Sequence, residues 1–204
     1  MRRMALGVAV ILTAGLLAAC GSSTDAGSTG ASPTATPTPT PTPTPVSVVW
    51  AGQVCGDMDR VKSSVGSLGQ NLSYDVTSDR SALEQIQRQL TVQVLGVGDA
   101  ADRLLTTLGG VPVDFTAAAD MVATLTKSGQ DTKAAASAAS GHLQAAASAG
   151  DVLTAVAEVG QAIIAAKAAY EAGQAFVGAI GTATSTASGE LGEAFDASPA
   201  CQSS

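Results

Sequence analysis

The chain has 204 residues, 46% hydrophobic, 13% charged and 3% aromatic, with one His and 17 acidic against 10 basic side chains. That length holds one domain with appendages and little more. The aromatic and His inventory excludes a tryptophan-lined sugar cleft, a base-stacking platform and a multi-histidine metal centre, and a formal charge of −7 argues against a nucleic-acid partner.

Arg2 and Arg3 form a positive n-region, Ala5 to Leu17 an apolar stretch, and Leu17-Ala18-Ala19-Cys20 a small-residue cleavage site ending in Cys. The apolar stretch is too short to span a bilayer as a helix. Leu17-Ala18-Ala19-Cys20 resembles the lipobox of bacterial lipoproteins. The resemblance implies that residues 1–19 are a signal peptide cut before Cys20, that the Cys20 thiol carries a diacylglycerol, and that the protein sits lipid-anchored on the extracytoplasmic face of the cell membrane. Cleavage there removes Arg2 and Arg3 and leaves a more acidic chain. Attachment then rests on acyl chains rather than on a basic patch.

Residues 20–47 read as a disordered linker, Gly/Ser/Thr-rich at first and then dominated by a Thr-Pro alternation with prolines at 33, 37, 39, 41, 43 and 45. Proline fixes φ and removes backbone donors, so this part is expected to run as solvated polyproline II and act as a stalk. Thr34, Thr36, Thr38, Thr40, Thr42 and Thr44 resemble the O-glycosylated threonines of secreted Thr/Pro linkers, and an unmodified spacer is the other reading.

From residue 48 to 204 the pattern predicts an all-α domain. Trp50, Val54, Met58, Val61, Val65, Leu68 and Leu72 recur at spacings of three and four, which puts them on one face of a first helix over 48–70. Polar residues from Asn71 to Asp79 mark its exit and the next entrance. Leu83, Ile86, Leu90, Val94, Val97, Ala101, Leu104 and Leu108 form the second stripe, with a seven-residue rhythm suited to antiparallel packing. Gly109-Gly110-Val111-Pro112 stops it. Asp114 is the expected N-cap of a third helix carrying Phe115, Val122, Leu125 and Leu143, closed by Gly150. Asp151 opens a fourth, running from Val152 to Ala187, with Leu191 and Phe195 on a frayed continuation. No stretch alternates with period two long enough to compete as a strand. Four helices with short connections predict an up-down antiparallel four-helix bundle. Its alanine and glycine content predicts tight packing with little apolar area per turn.

With Cys20 assigned to lipid by the resemblance, Cys55 and Cys201 remain. An even number of helices brings both chain ends to one pole, so the expected bundle places these two within bridging reach in an oxidising envelope. Neither lies in a Cys-x-x-Cys motif or near a His, which disfavours a redox-active or metal-binding pair. The string Trp50-Ala51-Gly52-Gln53-Val54-Cys55, with its distant second cysteine, resembles the opening of helical ectodomains in small lipoproteins and secreted proteins of high-GC Gram-positive bacteria. That resemblance implies lineage and fold without an activity.

No catalytic or metal-binding grouping is visible. His142 stands in Ser140-Gly141-His142-Leu143 with its nearest acidic neighbours in sequence at Asp131 and Asp151, so a surface or boundary histidine is expected. Asp57, Asp59 and Arg60 suit the start of a helix but supply too few oxygens for a cation. Gly96-Val97-Gly98 lacks the rest of a phosphate loop, and Asn71-Leu72-Ser73 is a glycosylation triplet that a bacterial lipoprotein would not normally use. Helix four mixes Ile163, Ile164, Phe176, Val177 and Ile180 with many small residues, which fits burial against two neighbours or an apolar side that meets lipid or protein. Glu158, Lys167 and Glu171 rule out reading it as a membrane span. The sequence therefore predicts no enzyme and no cofactor or metal. It predicts an envelope lipoprotein presenting a non-catalytic helical binding or structural domain to an unknown envelope or extracellular protein, or carrying a lipid or small apolar ligand inside the bundle.

Overall fold

The computed structural model describes residues 44–70, 72–73 and 79–202. Among these the regular structure is entirely helical: α1 (Val46–Gln70), α2 (Arg80–Gly109), α3 (Ala119–Ser148), α4 (Val152–Thr186), α5 (Gly189–Ala197) and α6 (Pro199–Gln202), with one 3₁₀ turn at Thr116–Ala118. The signal-peptide and lipid-anchor readings, Cys20 included, and the linker threonines Thr34, Thr36, Thr38, Thr40 and Thr42 lie outside the described residues. Thr44 is described and exposed.

Helix α1 starts two residues earlier than its apolar stripe suggests. The Pro45 carbonyl accepts from the Val48 and Val49 amides at 3.1 and 3.2 Å, so the final proline of the Thr/Pro run already serves as the helix start. Proline is tolerated there because the first helical amides have no partner within the helix. The predicted stripe, Trp50, Val54, Met58, Val61, Val65 and Leu68, is the buried face, joined by Ala51 and Cys55. Asp79 caps α2 by accepting from the Ser81 amide at 2.8 Å. Gly110 ends α2 with its amide on the Thr106 and Thr107 carbonyls. Of the α2 stripe, Ile86 is only half-buried and packs on a small separate cluster of Leu83, Ala146 and Val159.

The start of α3 differs from expectation. Asp114 is not its cap: Pro112, Val113 and Asp114 form a turn whose Phe115 amide donates to the Pro112 carbonyl at 2.8 Å, and the α-helix begins only at Ala119. The physical gain is burial of Phe115 edge-on to Trp50, ring centroids 5.7 Å apart. Asp151 does cap α4, accepting from the Thr154 amide at 2.9 Å.

Leu191 and Phe195 do not continue α4. The backbone turns extended at Ala187 and Ser188, Gly189 takes φ +58°, and a separate helix, α5, begins. Left-handed φ is the conformation glycine adopts without steric cost. The break lets Leu191, Ala194 and Phe195 fold back on the core, Phe195 lying 6.4 Å from Trp50 by ring centroids.

Neighbouring helices run antiparallel. The Trp50 indole N–H near the start of α1 donates to the Thr107 carbonyl near the end of α2 (2.9 Å), and Gln87 of α2 donates to the Leu143 carbonyl of α3 (2.9 Å). Helices α3 and α4 form the most extensive pair, and α4 also lies against α1 and α2. The layers approach closely because small residues line the seams: Gly129 and Ala139 on α3, Ala162, Ala166, Ala169 and Gly173 on α4, all buried. Phe176, Leu104, Leu125 and Ile180 fill the centre. Thr132, also buried, gives its hydroxyl proton to the Ser128 carbonyl at 3.0 Å. No buried side-chain polar atom among the described residues is left unpaired.

Candidate functional site

The features that could carry function gather at the pole where α1 and α5 start and α2 and α4 end. Cys55 and Cys201 are joined there by a disulfide, with Cα atoms 5.2 Å apart and 146 residues between them in sequence. The bond ties α6 to the third turn of α1, beside the ring cluster of Trp50, Phe115 and Phe195. Cys55 is buried and Cys201 half-buried.

Two clefts open on this pole. One of 460 Å³ lies between the first turns of α3, the last turns of α4 and the start of α5, lined among others by Asp120, Met121, Thr124, Ala183 and Leu191. The other, of 560 Å³, lies beside the disulfide and is lined by Met58, Lys62, Phe195, Asp196 and Gln202 together with the bonded cysteines. Both are surface clefts in the size range of small-molecule sites. Sequence reading missed the first because its walls come from three segments that only the break at Ala187–Ser188 brings together.

At the opposite pole His142 of α3 meets Glu158 of α4, Nδ1 to Oε2 at 2.8 Å, both side chains partly exposed. The position fits a boundary histidine, but the acidic partner is one that sequence distance alone hides: the two residues lie symmetrically about Gly150, the register an antiparallel α3–α4 pair dictates. The other ion pairs are exposed or partly exposed, including Lys127–Asp131 at 3.2 Å, Arg60–Asp57 at 3.4 Å and the cross-helix pair Lys133–Asp102. Exposed pairs of this kind add little stability. Asp57 has a second role, accepting from the Thr107 hydroxyl at 2.6 Å and so pinning α1 to α2. Among the described residues no three His, Cys, Asp or Glu side chains are placed to hold a metal ion.

Both capping carboxylates have pKa values below the ordinary range. The Ser81 side chain and backbone hold Asp79 down, and the Thr154 backbone amide, helped by its hydroxyl, does the same for Asp151.

Helix α4 divides its apolar residues. Phe176 and Ile180 are buried, Ile163 and Val177 half-buried, and Leu153 and Ile164 exposed at 81% and 63%. By length and composition alone it is long and apolar enough to cross a membrane, so Glu158, Lys167 and Glu171 do not exclude a span as the sequence suggested. From Ala172 to Thr186 it carries no charge at all. The same test is passed by core helices of soluble proteins, and here Ala162, Ala166, Ala169, Gly173, Phe176 and Ile180 are buried against the rest of the fold. Among the described residues the other exposed large apolar side chains are Val46, Val49, Val92, Leu95 and Val113. Single apolar side chains on a surface are ordinary.

Comparison with family models, with curated proteins and with solved structures gives no match.

Proposed function

We propose that this chain is an envelope lipoprotein that displays an up-down four-helix bundle on a Thr/Pro stalk, anchored by acyl groups on Cys20, and that the bundle works by non-catalytic binding at its surface. The observation that carries the reading is the contrast between interior and poles. Large side chains fill the space between α1, α2, α3 and α4, small residues close the seams, and the two roomiest clefts among the described residues, of 460 and 560 Å³, open on the surface at the pole closed by Cys55–Cys201. A carrier holding its ligand inside the bundle needs room that Phe176, Leu104, Leu125 and Ile180 occupy. The disulfide suits an oxidising compartment outside the cytoplasm. Pro45, the last proline of the Thr/Pro run, stands at the start of α1, on the pole where both clefts open.

Fractionation of the native host tests the anchor. The full chain is expected in the membrane fraction with a diacylglyceryl mass on Cys20, and the Cys20→Ser variant in the soluble envelope fraction. Firm membrane association of that variant would overturn the anchor.

A further inference from the structure

The cleft between α3, α4 and α5 has a chemical character that selects among ligands. Its floor is apolar, built by Met121, Ala183 and Leu191, and it holds no aromatic ring and no basic group. Asp120 is the one charged residue lining it. Asp120 makes no side-chain hydrogen bond or ion pair among the described residues, and neither does the hydroxyl of Thr124, one helical turn further along the same face. Of the other described carboxylates, Asp57, Asp59, Glu84, Asp102, Asp131 and Glu158 are paired and others, Asp99 and Asp114 among them, are not; Asp120 differs in lining a cleft that holds no basic group. An unpartnered carboxylate over an apolar floor is complementary to a protonated amine carried on an aliphatic body. The amine N–H groups would donate to Asp120 and Thr124 while the aliphatic part covers Met121 and Leu191.

Two helix starts favour the opposite charge: α3 begins at Ala119 without a side-chain cap and carries Asp120 in its own first turn, which offsets part of that carboxylate's charge. The start of α5 also opens here, and Ser188 makes no side-chain cap, which leaves partial positive charge on the first amides. A helix end amounts to about half an elementary charge; Glu190 more than offsets that of α5 and Asp120 that of α3, so the cleft keeps a net negative charge. We propose that this cleft is a binding site for cationic aliphatic amines, the primary ammonium resting on Asp120 and Thr124. The proposal deepens the surface-binding reading above and is independent of the lipid anchor.

Octylammonium is the probe, with octanoate and octanol as comparators, titrated into the full chain carrying Cys20→Ser so that no detergent is needed. Methionine methyl NMR supplies an internal control, because Met121 lines this cleft and Met58 lines the other. Octylammonium is expected to shift the Met121 methyl saturably, one per chain, without moving Met58. Octanoate and octanol are expected to bind at least about tenfold more weakly, since each lacks the charge-assisted donor. Asp120→Asn is expected to weaken the amine by about tenfold and to leave the fold intact, as the side chain is exposed. Ala183→Leu, which fills the floor, is expected to abolish the Met121 response for every probe. Equal binding of octanoate, an unchanged affinity in Asp120→Asn, parallel movement of Met58, or no saturable response at Met121 would each overturn the assignment. Such a failure, with membrane fractionation unchanged, would strike the cleft and leave the anchored-display reading standing.

Discussion

Gly173 and Gly178 sit on the same helix and predict opposite outcomes for the same substitution. A Cβ on Gly173 would stand 2.6 Å from Cγ2 and 3.2 Å from Cγ1 of Val65, whereas a Cβ on Gly178 meets nothing within 4 Å. Replacing a helical glycine by alanine is favourable by about 0.8–1.0 kcal/mol when nothing else changes. At Gly178 that gain stands alone. At Gly173 it is opposed by overpacking, which costs about 1–3 kcal/mol. Val65 cannot swing aside, because a β-branched side chain in a helix is confined to one χ1 rotamer and both γ-carbons face the new methyl. The helices must then separate along the α1–α4 seam. Gly178→Ala is therefore expected to stabilise by about 1 kcal/mol and Gly173→Ala to destabilise by up to about 2 kcal/mol net. In a domain of this size the first raises Tm by about 2–4 °C and the second lowers it by a similar step or more. Calorimetry of both variants and of Gly173→Ala/Val65→Ala decides the matter. The double variant removes the obstructing γ-carbons, so a favourable coupling between the two sites is expected. Stabilisation by Gly173→Ala, or the same shift at both glycines, would refute the claim that α1 and α4 are in backbone-limited contact.

Removing the disulfide by Cys55→Ser/Cys201→Ser releases a loop of 146 residues and is expected to cost up to about 5 kcal/mol in the chain-entropy model, read by urea unfolding. A change in unfolding free energy below about 1 kcal/mol would contradict it. Phe176→Ala removes the largest fully buried side chain and is expected to cost about 3–5 kcal/mol, checked by the same unfolding curves. The Asp79 and Asp151 caps have depressed pKa values, so the stability they add is fully present above the unfolded carboxylate range and is lost as pH falls through their lower folded values. Asp79→Asn/Asp151→Asn is expected to flatten that acid limb in pH-dependent melting, and an unchanged slope would show that other groups control it.

The parts of the fold legible in the sequence are those with large contrast between faces. In α1 the predicted stripe from Trp50 to Leu68 is the buried face because Val, Met and Leu alternate there with Asp, Lys, Arg and Ser. Asp151 was readable as the opening of α4 because it precedes an apolar-periodic run, whereas Asp79 stood only as the end of a polar stretch and its capping of α2 came with the structure. The Cys55–Cys201 pairing followed from topology once the lipobox resemblance had set Cys20 aside. Legibility fades where alanine does the packing. Buried Ala136, Ala139, Ala162 and Ala166 have the same side chain as exposed Ala134, Ala138, Ala157 and Ala168, so the pattern alone does not say which face turns inward. At the α2–α3 junction, Asp114 had the chemistry of a cap but Phe115 had more to gain from Trp50. The amine cleft depends on a backbone reversal whose only local mark is Gly189, one glycine among 22.

The bond between Cys55 and Cys201 also determines where tension would travel. A pull between Pro45 and Gln202 enters at the first turns of α1, crosses to α6 through the sulfur atoms and leaves, without loading the covalent path of α2, α3 or α4. The bulk of the domain hangs beside that line rather than in it. A domain wired this way keeps its packed interior out of the force path, so a pull at its two ends strains only a short helical segment and a covalent link.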